Sequence, residues 1–269
     1  MTLSALAFAM MDLVVKELSG DYGAFELVFF RAGGSWLLCM IYLLTKGVPI
    51  LGNQRKWLVF RSVVGTISLC LFFYAISLIP LGSVVAIRYV SPIFGIIFAL
   101  LFLKEKVRPI QWIFFAMSFG GVLLINGFDP RVTTFGLLVV LTSALFSGLV
   151  FFAIRRLGKG DHPLVIINYF MFTATVVGLI GSWSNWYVPP SADYVYLFGL
   201  GVLGLIGQIF MTMALQLEVA SKVTPFKYLE AVFVIILSYF IFMENQPLIV
   251  IAGIGLIIFG NVLNAVTKK

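Results

Sequence analysis

The chain reads as an all-α membrane protein: ten transmembrane helices arranged as two inverted five-helix repeats. Three observations predict this. Hydrophobic residues make up 61% of the sequence and charged residues 11%, with a mean hydropathy of +1.09; soluble domains carry about 25% charged residues. The apolar stretches approach the roughly 20 residues needed to cross about 30 Å of hydrocarbon. Finally, residues 1–130 laid on 140–269 keep one register at a spacing of 139 residues.

The register pairs Ser4-Ala5-Leu6 with Ser143-Ala144-Leu145, Lys16 with Arg155, and Ala75 with Ala214. Further on it pairs Arg88-Tyr89 with Lys227-Tyr228, Glu105 with Glu244, and Gly121 with Gly260. Apolar sequence matches itself by composition, so the weight rests on the basic–Tyr pairs and the two acids. A duplicated membrane unit of this kind points to a carrier, because alternating access is commonly built from two such units.

The predicted spans are 2–18, 24–45, 57–79, 82–103, 109–126, 134–154, 163–183, 194–216, 223–242 and 248–266. The first has neither a basic leader nor a small-residue cleavage site, so it is expected to be a retained helix rather than a signal peptide. The second carries Gly33-Gly34 and the fifth Gly120-Gly121, small residues that let membrane helices approach closely. Trp57, Trp112, Trp183 and Trp186 fall near span ends, where aromatic anchors sit. Pro92 lies inside the fourth span, where it removes a backbone hydrogen bond and frees the carbonyl of Arg88, so a kink is expected beside that residue. Gly201, Gly204 and Gly207 put a small residue every three positions in the eighth. Pro225 sets the start of the ninth. Each stretch is continuously apolar, without the alternation of a membrane strand, so helices are predicted rather than a barrel.

Charge placement sets the expected topology. Lys46, Arg55, Lys56 and Arg61 are assigned to the connection after the second span and its edges. Lys104, Lys106 and Arg108 follow the fourth, Arg155, Arg156 and Lys159 the sixth, and Lys222 the eighth, while Lys268 and Lys269 end the chain. By the positive-inside rule both termini face the cytoplasm. Five spans per unit then turn the second unit, 131–269, upside down relative to the first, 1–130. The net charge of +7 is spread over these loops instead of one soluble face, which argues against nucleic acid as a partner.

Charge inside hydrocarbon costs at least ~2.5–3.5 kcal/mol per group, so such residues usually face the bundle interior. The candidates are Asp12, Lys16, Arg31, Arg88, Lys227 and Glu230. Arg88-Tyr89 and Lys227-Tyr228 are placed by the inverted register near opposite mouths of a pathway, and snorkelling of the long stems is the competing reading. Asp12 and Lys16, four residues apart, share a helix face and can neutralise each other, or Asp12 can pair with Arg31. Glu230 can pair with Lys227 or carry a proton. The register sets Asp12 against Phe151, Arg31 against Phe170 and Ser91 against Glu230. Polar positions that break the symmetry in this way are where substrate choice is expected.

Enzymatic and metal chemistry find little support. The sequence has no His-Glu-x-x-His, Gly-x-Ser-x-Gly or Walker A pattern and no acidic metal cluster. His162, the one histidine, sits in a loop beside Asp161, and Cys39 and Cys70 are expected to be inert thiols within spans. No cofactor or metal is expected.

The stretches Arg88-Tyr89-Val90-Ser91-Pro92 with Phe102-Leu103-Lys104-Glu105, and Thr224-Pro225-Phe226-Lys227-Tyr228-Leu229-Glu230 with Ile241-Phe242-Met243-Glu244, each precede a helix bearing Gly121 or Gly260. In both repeats this resembles the tandem EamA unit of the drug/metabolite transporter superfamily. The resemblance implies a central cavity lined chiefly by the third, fourth, eighth and ninth helices, and secondary transport of small organic metabolites through a bacterial inner membrane. It also implies a structural part for Glu105 and Glu244. Lys16, Arg31, Arg88 and Lys227 outnumber Asp12 and Glu230, which favours an anionic or zwitterionic metabolite such as an amino acid, carboxylate or vitamin-like molecule. Proton-coupled export of cationic amphiphiles through Asp12 or Glu230 is the alternative within the fold, and a lipid-acting intramembrane enzyme the alternative outside it. The expected partners are a small-molecule substrate and the bilayer, with the protein a monomer or homodimer.

Overall fold

A computed structural model describes residues 1–103, 109–128, 131–217, 223, 226–227, 229–243 and 247–266. Among the described residues all regular elements are helical. In the first half these are α1 (Thr2–Leu18), α2 (Ala24–Thr45), α3 (Arg55–Leu78), α4 (Leu81–Arg88), α5 (Ser91–Leu103) and α6 (Pro109–Phe128). The second half contains α7 (Thr134–Leu157), α8 (Pro163–Ser182), α9 (Tyr194–Leu217), α10 (Leu229–Phe242) and α11 (Leu248–Val266), with a short 3-10 turn at Gly158–Gly160. Six stretches, counting Leu81–Phe102 as one, are long and apolar enough to cross a membrane. Shorter apolar segments lie at Trp112–Gly121, Val232–Ile241 and Leu248–Gly260. The protein is a multi-pass membrane protein whose outer surface is apolar, as at Ile180, Phe240 and Leu248.

Local chemistry explains the helix ends. Thr133 caps α7, its side chain accepting from the Gly136 N–H at 3.1 Å, and α7 stops at Gly158, where φ is +51° and a side chain would be strained. His162 caps α8, its Nδ1 accepting from the Leu164 N–H at 3.2 Å, and Pro163 occupies the first helical position. The loop histidine is therefore a helix cap, and the neighbouring Asp161 is buried.

The fourth predicted span is two helices. α4 ends at Arg88 and α5 begins at Ser91, and the Tyr89 and Val90 N–H groups donate to the carbonyls three residues back, of Ala86 and Ile87. Pro92 has no N–H for the Arg88 carbonyl, so the ladder breaks there. Glu105, Tyr228 and Glu244 lie outside the described residues, as do Pro225, Lys104, Lys106, Arg108, Lys222, Lys268 and Lys269.

Helix packing follows the 139-residue register. α2 packs on its equivalent α8, and α6 on its equivalent α11. α3 packs on α7 as α9 packs on α1, α5 on α7 as α10 on α1, and α3 on α8 as α9 on α2. One hydrogen bond recurs atom for atom: Ser4 Oγ donates to the Gly207 carbonyl at 2.8 Å and Ser143 Oγ to the Ser68 carbonyl at 2.8 Å. Glycine makes the closest crossings possible. A Cβ on Gly178 would stand 2.7 Å from the Phe29 backbone nitrogen, and one on Gly121 2.5 Å from the Gly253 carbonyl oxygen.

Candidate functional site

The helices enclose a central cavity of about 50 Å³. A water needs roughly 10–15 Å³ of such space, so the cavity in this conformation takes a few waters but not an organic metabolite. Its walls come from both halves. Asp12 projects from α1, Arg31 from α2, Arg61 and Ser68 from α3 and Arg88 from the end of α4, with Ser147 and Phe151 from α7, Phe170 from α8, Gln208 from α9, and Lys227 and Glu230 around the start of α10. The lining is thus wider than the third, fourth, eighth and ninth spans that the resemblance implies, because the first, second, sixth and seventh contribute as well.

Arg88 and Lys227 do not stand at opposite mouths. Both line this one cavity, and Lys227 is 5% exposed, so it is enclosed by the bundle. The helix break supplies the reason for Arg88. It is the eighth and last residue of α4, about 12 Å along the axis at 1.5 Å per residue, and the break after it leaves it in the cavity wall.

Arg61, placed by sequence at a loop edge, is the seventh residue of α3 and 1% exposed in the cavity wall. α3 begins at Arg55, so about one and two-thirds turns separate Arg61 from the helix start, and its side chain lines the cavity. Lys16, expected opposite Asp12, is half-buried in the last turn of α1 and is not a lining residue. The charged groups that act on Asp12 are Glu230, Arg88, Arg31 and Lys227. Tyr89 is buried beside the α4 break, outside the lining.

The cavity holds four cations against two carboxylates, and aromatic faces substitute for missing anions. Arg88 lies 3.9 Å from the centre of the Phe72 ring, Arg61 4.2 Å from Phe170, and Lys227 5.0 Å from Phe151. A desolvated cation–π contact contributes about 2 kcal/mol, whereas bringing an ion out of water costs several, so the rings offset only part of the penalty. Among the described residues, neither Asp12 oxygen has a hydrogen-bond partner, and Arg31 Nη1, Arg88 Nε and Glu230 Oε2 also have none. Arg31 Nε donates to Met11 Sδ at 3.2 Å, a weak acceptor. The site is charged, desolvated and under-satisfied.

Hydrogen bonds close the bundle at both ends of α2. At one end, the Asn53 and Gln54 backbone N–H groups donate to the Asp161 carboxylate at 2.5 and 3.1 Å. Beside them, Gln216 Nε2 donates to the Gly158 and Asp161 carbonyls. At the other, Tyr22 Oη donates to Asp193 Oδ2 at 2.7 Å, the Tyr187 N–H donates to Glu26 Oε1 at 3.1 Å, and Trp186 packs on Phe29 and Phe30. Burial, then the bond to Asp193, holds the Tyr22 phenol well above its usual range. Cys39 and Cys70 are free thiols, and Cys39 Sγ donates to the Leu164 carbonyl. No group of three or more metal-ligating side chains occurs among the described residues.

Comparison with known proteins agrees with this architecture. The EamA-like transporter family matches residues 1–127 and 134–266. The pseudopaline exporter CntI of Pseudomonas aeruginosa is 32% identical over 269 residues, covering 99% of this chain and 95% of its own. Human solute carrier family 35 member G1 is 30% identical over 99% of this chain and 78% of its own. The S-adenosylmethionine uptake transporter of Rickettsia conorii is 24% identical over 90% and 83%. A solved crystal structure superposes with a TM-score of 0.72 over 99% of both chains at 17% identity, a likeness of fold. The chain belongs to the EamA-like transporter family, and it is a small-molecule transporter of the membrane, not an enzyme.

Proposed function

We propose that the protein is a secondary carrier that moves a small anionic or zwitterionic metabolite across the bacterial inner membrane by alternating access. It would do so as two five-helix units, 1–130 and 131–269, inserted in opposite orientations with both termini in the cytoplasm. Arg31, Arg88 and Lys227 would hold the anionic part of the substrate, and Asp12 and Glu230 an ammonium. Pro92 would supply the break about which α4 and α5 move.

One observation carries the substrate class: a buried cavity in which four cations face two carboxylates. A net positive, desolvated pocket favours anionic charge and penalises a second cation. The inverted arrangement is supported by the helix contacts and the Ser4 and Ser143 bonds, which exchange under the 139-residue register. Direction is left to experiment, because one relative is named for export and another for uptake.

Proton-coupled export of cationic amphiphiles is the second reading. The observation in its favour is that Asp12 is fully buried in the same cavity and lacks a hydrogen-bond partner among the described residues. A thermal-shift screen of purified protein against anionic, zwitterionic and cationic metabolites separates the two, since a ligand of the folded state raises stability by mass action. Stabilisation by anions or zwitterions, lost in R88Q and K227Q, supports the proposal. Stabilisation by lipophilic cations alone, lost in D12N and E230Q, overturns it.

A further inference from the structure

The charges of the cavity divide into two groups. Asp12 is acted on by Glu230, Arg88, Arg31 and Lys227, and Glu230 by Lys227 and Arg88, so these three cations and two carboxylates come within one charge of balancing. Arg61 stands apart. Among the described residues the charged group that acts on it is Arg31, a like charge.

Its surroundings fit an anion that is supplied from outside. The guanidinium lines the cavity at 1% exposure. Nη2 donates to Gln208 Oε1 at 3.1 Å, and Nε and Nη1 have no hydrogen-bond partner among the described residues. Phe170 covers one face. On the remaining side Gly65, one turn along α3, lets the head lie against the helix: a Cβ there would be 2.5 Å from Nη1. A guanidinium has five donors and no acceptor, and its planar fork matches a carboxylate in two parallel bonds.

We propose that Arg61, oriented by Gln208 and Gly65, is a separate carboxylate subsite, and that the carried metabolite has a second carboxylate in addition to the zwitterionic part held around Asp12. This rests on the functional reading above and narrows it to an amino-dicarboxylate class of substrate. A monocarboxylate zwitterion fills the balanced group and leaves Arg61 uncompensated. A substrate with a second carboxylate fills both.

The test uses full-length protein and two matched pairs in which a methyl replaces one carboxylate, norvaline with glutamate and 2-aminobutyrate with aspartate. Affinity is read from thermal shift at low and again at high chloride, with no carboxylate in the buffer. The expected result is that the dicarboxylate of at least one pair binds about tenfold or more tightly than its partner. In R61Q that difference collapses, and R61K, which keeps the charge but not the fork, recovers little of it. R88Q and K227Q weaken both members of the pair, which separates failure of the central site from failure of this subsite. Melting and monodispersity of unliganded R61Q and of Q208L report folding, and Q208L is expected to shrink the difference without abolishing it. A preference that survives in R61Q overturns the assignment, as does equal binding within both pairs. A response to chloride that needs Arg61 with no preference within the pairs makes the site one for an inorganic anion and also overturns it. Silence of wild-type protein toward all four compounds refutes the amino-dicarboxylate class, while the broader reading then stands or falls by the metabolite screen.

Discussion

The guanidinium of Arg31 lies 5.8 Å from the centre of the Phe170 ring, and these residues hold the same register position in the two halves of the chain. Residues that are equivalent in a duplicated protein meet where the two copies approach their relating axis. Here that place is the cavity wall, where Asp12 and its register partner Phe151, and Arg88 and its partner Lys227, also lie. Arg88 and Lys227 keep the register in this wall, while Asp12, Arg31, Arg61 and Glu230 face uncharged partners in it and supply the remaining charge.

If the halves are inserted in opposite orientations, labelling sides follow. In a background lacking Cys39 and Cys70, K46C and K159C should react with an impermeant maleimide from one side of oriented vesicles. D21C and A192C should react from the other. Asp21 is equivalent in the register to Gly160, beside Lys159, so reaction of D21C and K159C from the same side would refute the arrangement.

The closures at the two ends of α2 should oppose each other. D161A removes the acceptor for the Asn53 and Gln54 N–H groups, and bonds to a charged group contribute about 1.5–3 kcal/mol each. Since 1.4 kcal/mol is tenfold in a population, a cysteine at Met211 should become about tenfold or more accessible from the side of the basic loops. Y22F should raise its accessibility from the opposite side. Labelling rates measure both, and equal effects on both sides would count against gating.

Alkaline pH should act on one closure only. The folded-state pKa of Tyr22 is raised, so between the unfolded and folded values the native protein binds the extra proton. The stabilisation from its bond to Asp193 is complete below the ordinary phenol value of 10.0 and is lost as pH climbs through the raised one. Thermal stability should fall more steeply above pH 10 in wild type than in Y22F, and parallel profiles would contradict this.

Close helix crossings predict unequal glycine substitutions. Gly178→Ala drives a methyl into the backbone of α2, and overpacking of this kind costs about 1–3 kcal/mol. Gly199→Ala meets nothing within 4 Å and should be tolerated. Melting temperatures of the two variants decide.

Much of this was legible in the sequence because hydrocarbon forces long apolar runs and duplication leaves a register. Most helix limits and most of the charged lining follow from those two facts, and the break at Pro92 from its missing N–H. Depth was harder to read. Arg61 sits close in sequence to Arg55 and Lys56, so charge counting assigns it to a loop, although Arg61, Gly65 and Ser68 at spacings of four and three already mark one polar, small-residue stripe. Gln208 carries no charge and escapes a search for charges. Lys16 was paired with Asp12 by helix spacing, but tertiary packing surrounds Asp12 with α2, α4 and α10 instead. Spacing within one helix reports which residues share a face, not which helix that face meets.

The most direct test of the central claim is uptake into proteoliposomes of the best-stabilising anionic or zwitterionic metabolite by wild type, R88Q and K227Q. The account predicts saturable transport that falls at least about tenfold in each variant, the loss expected when a charge-assisted hydrogen bond to substrate is removed. Transport undiminished in both variants, or movement of lipophilic cations that requires Asp12 and Glu230 instead, would contradict it.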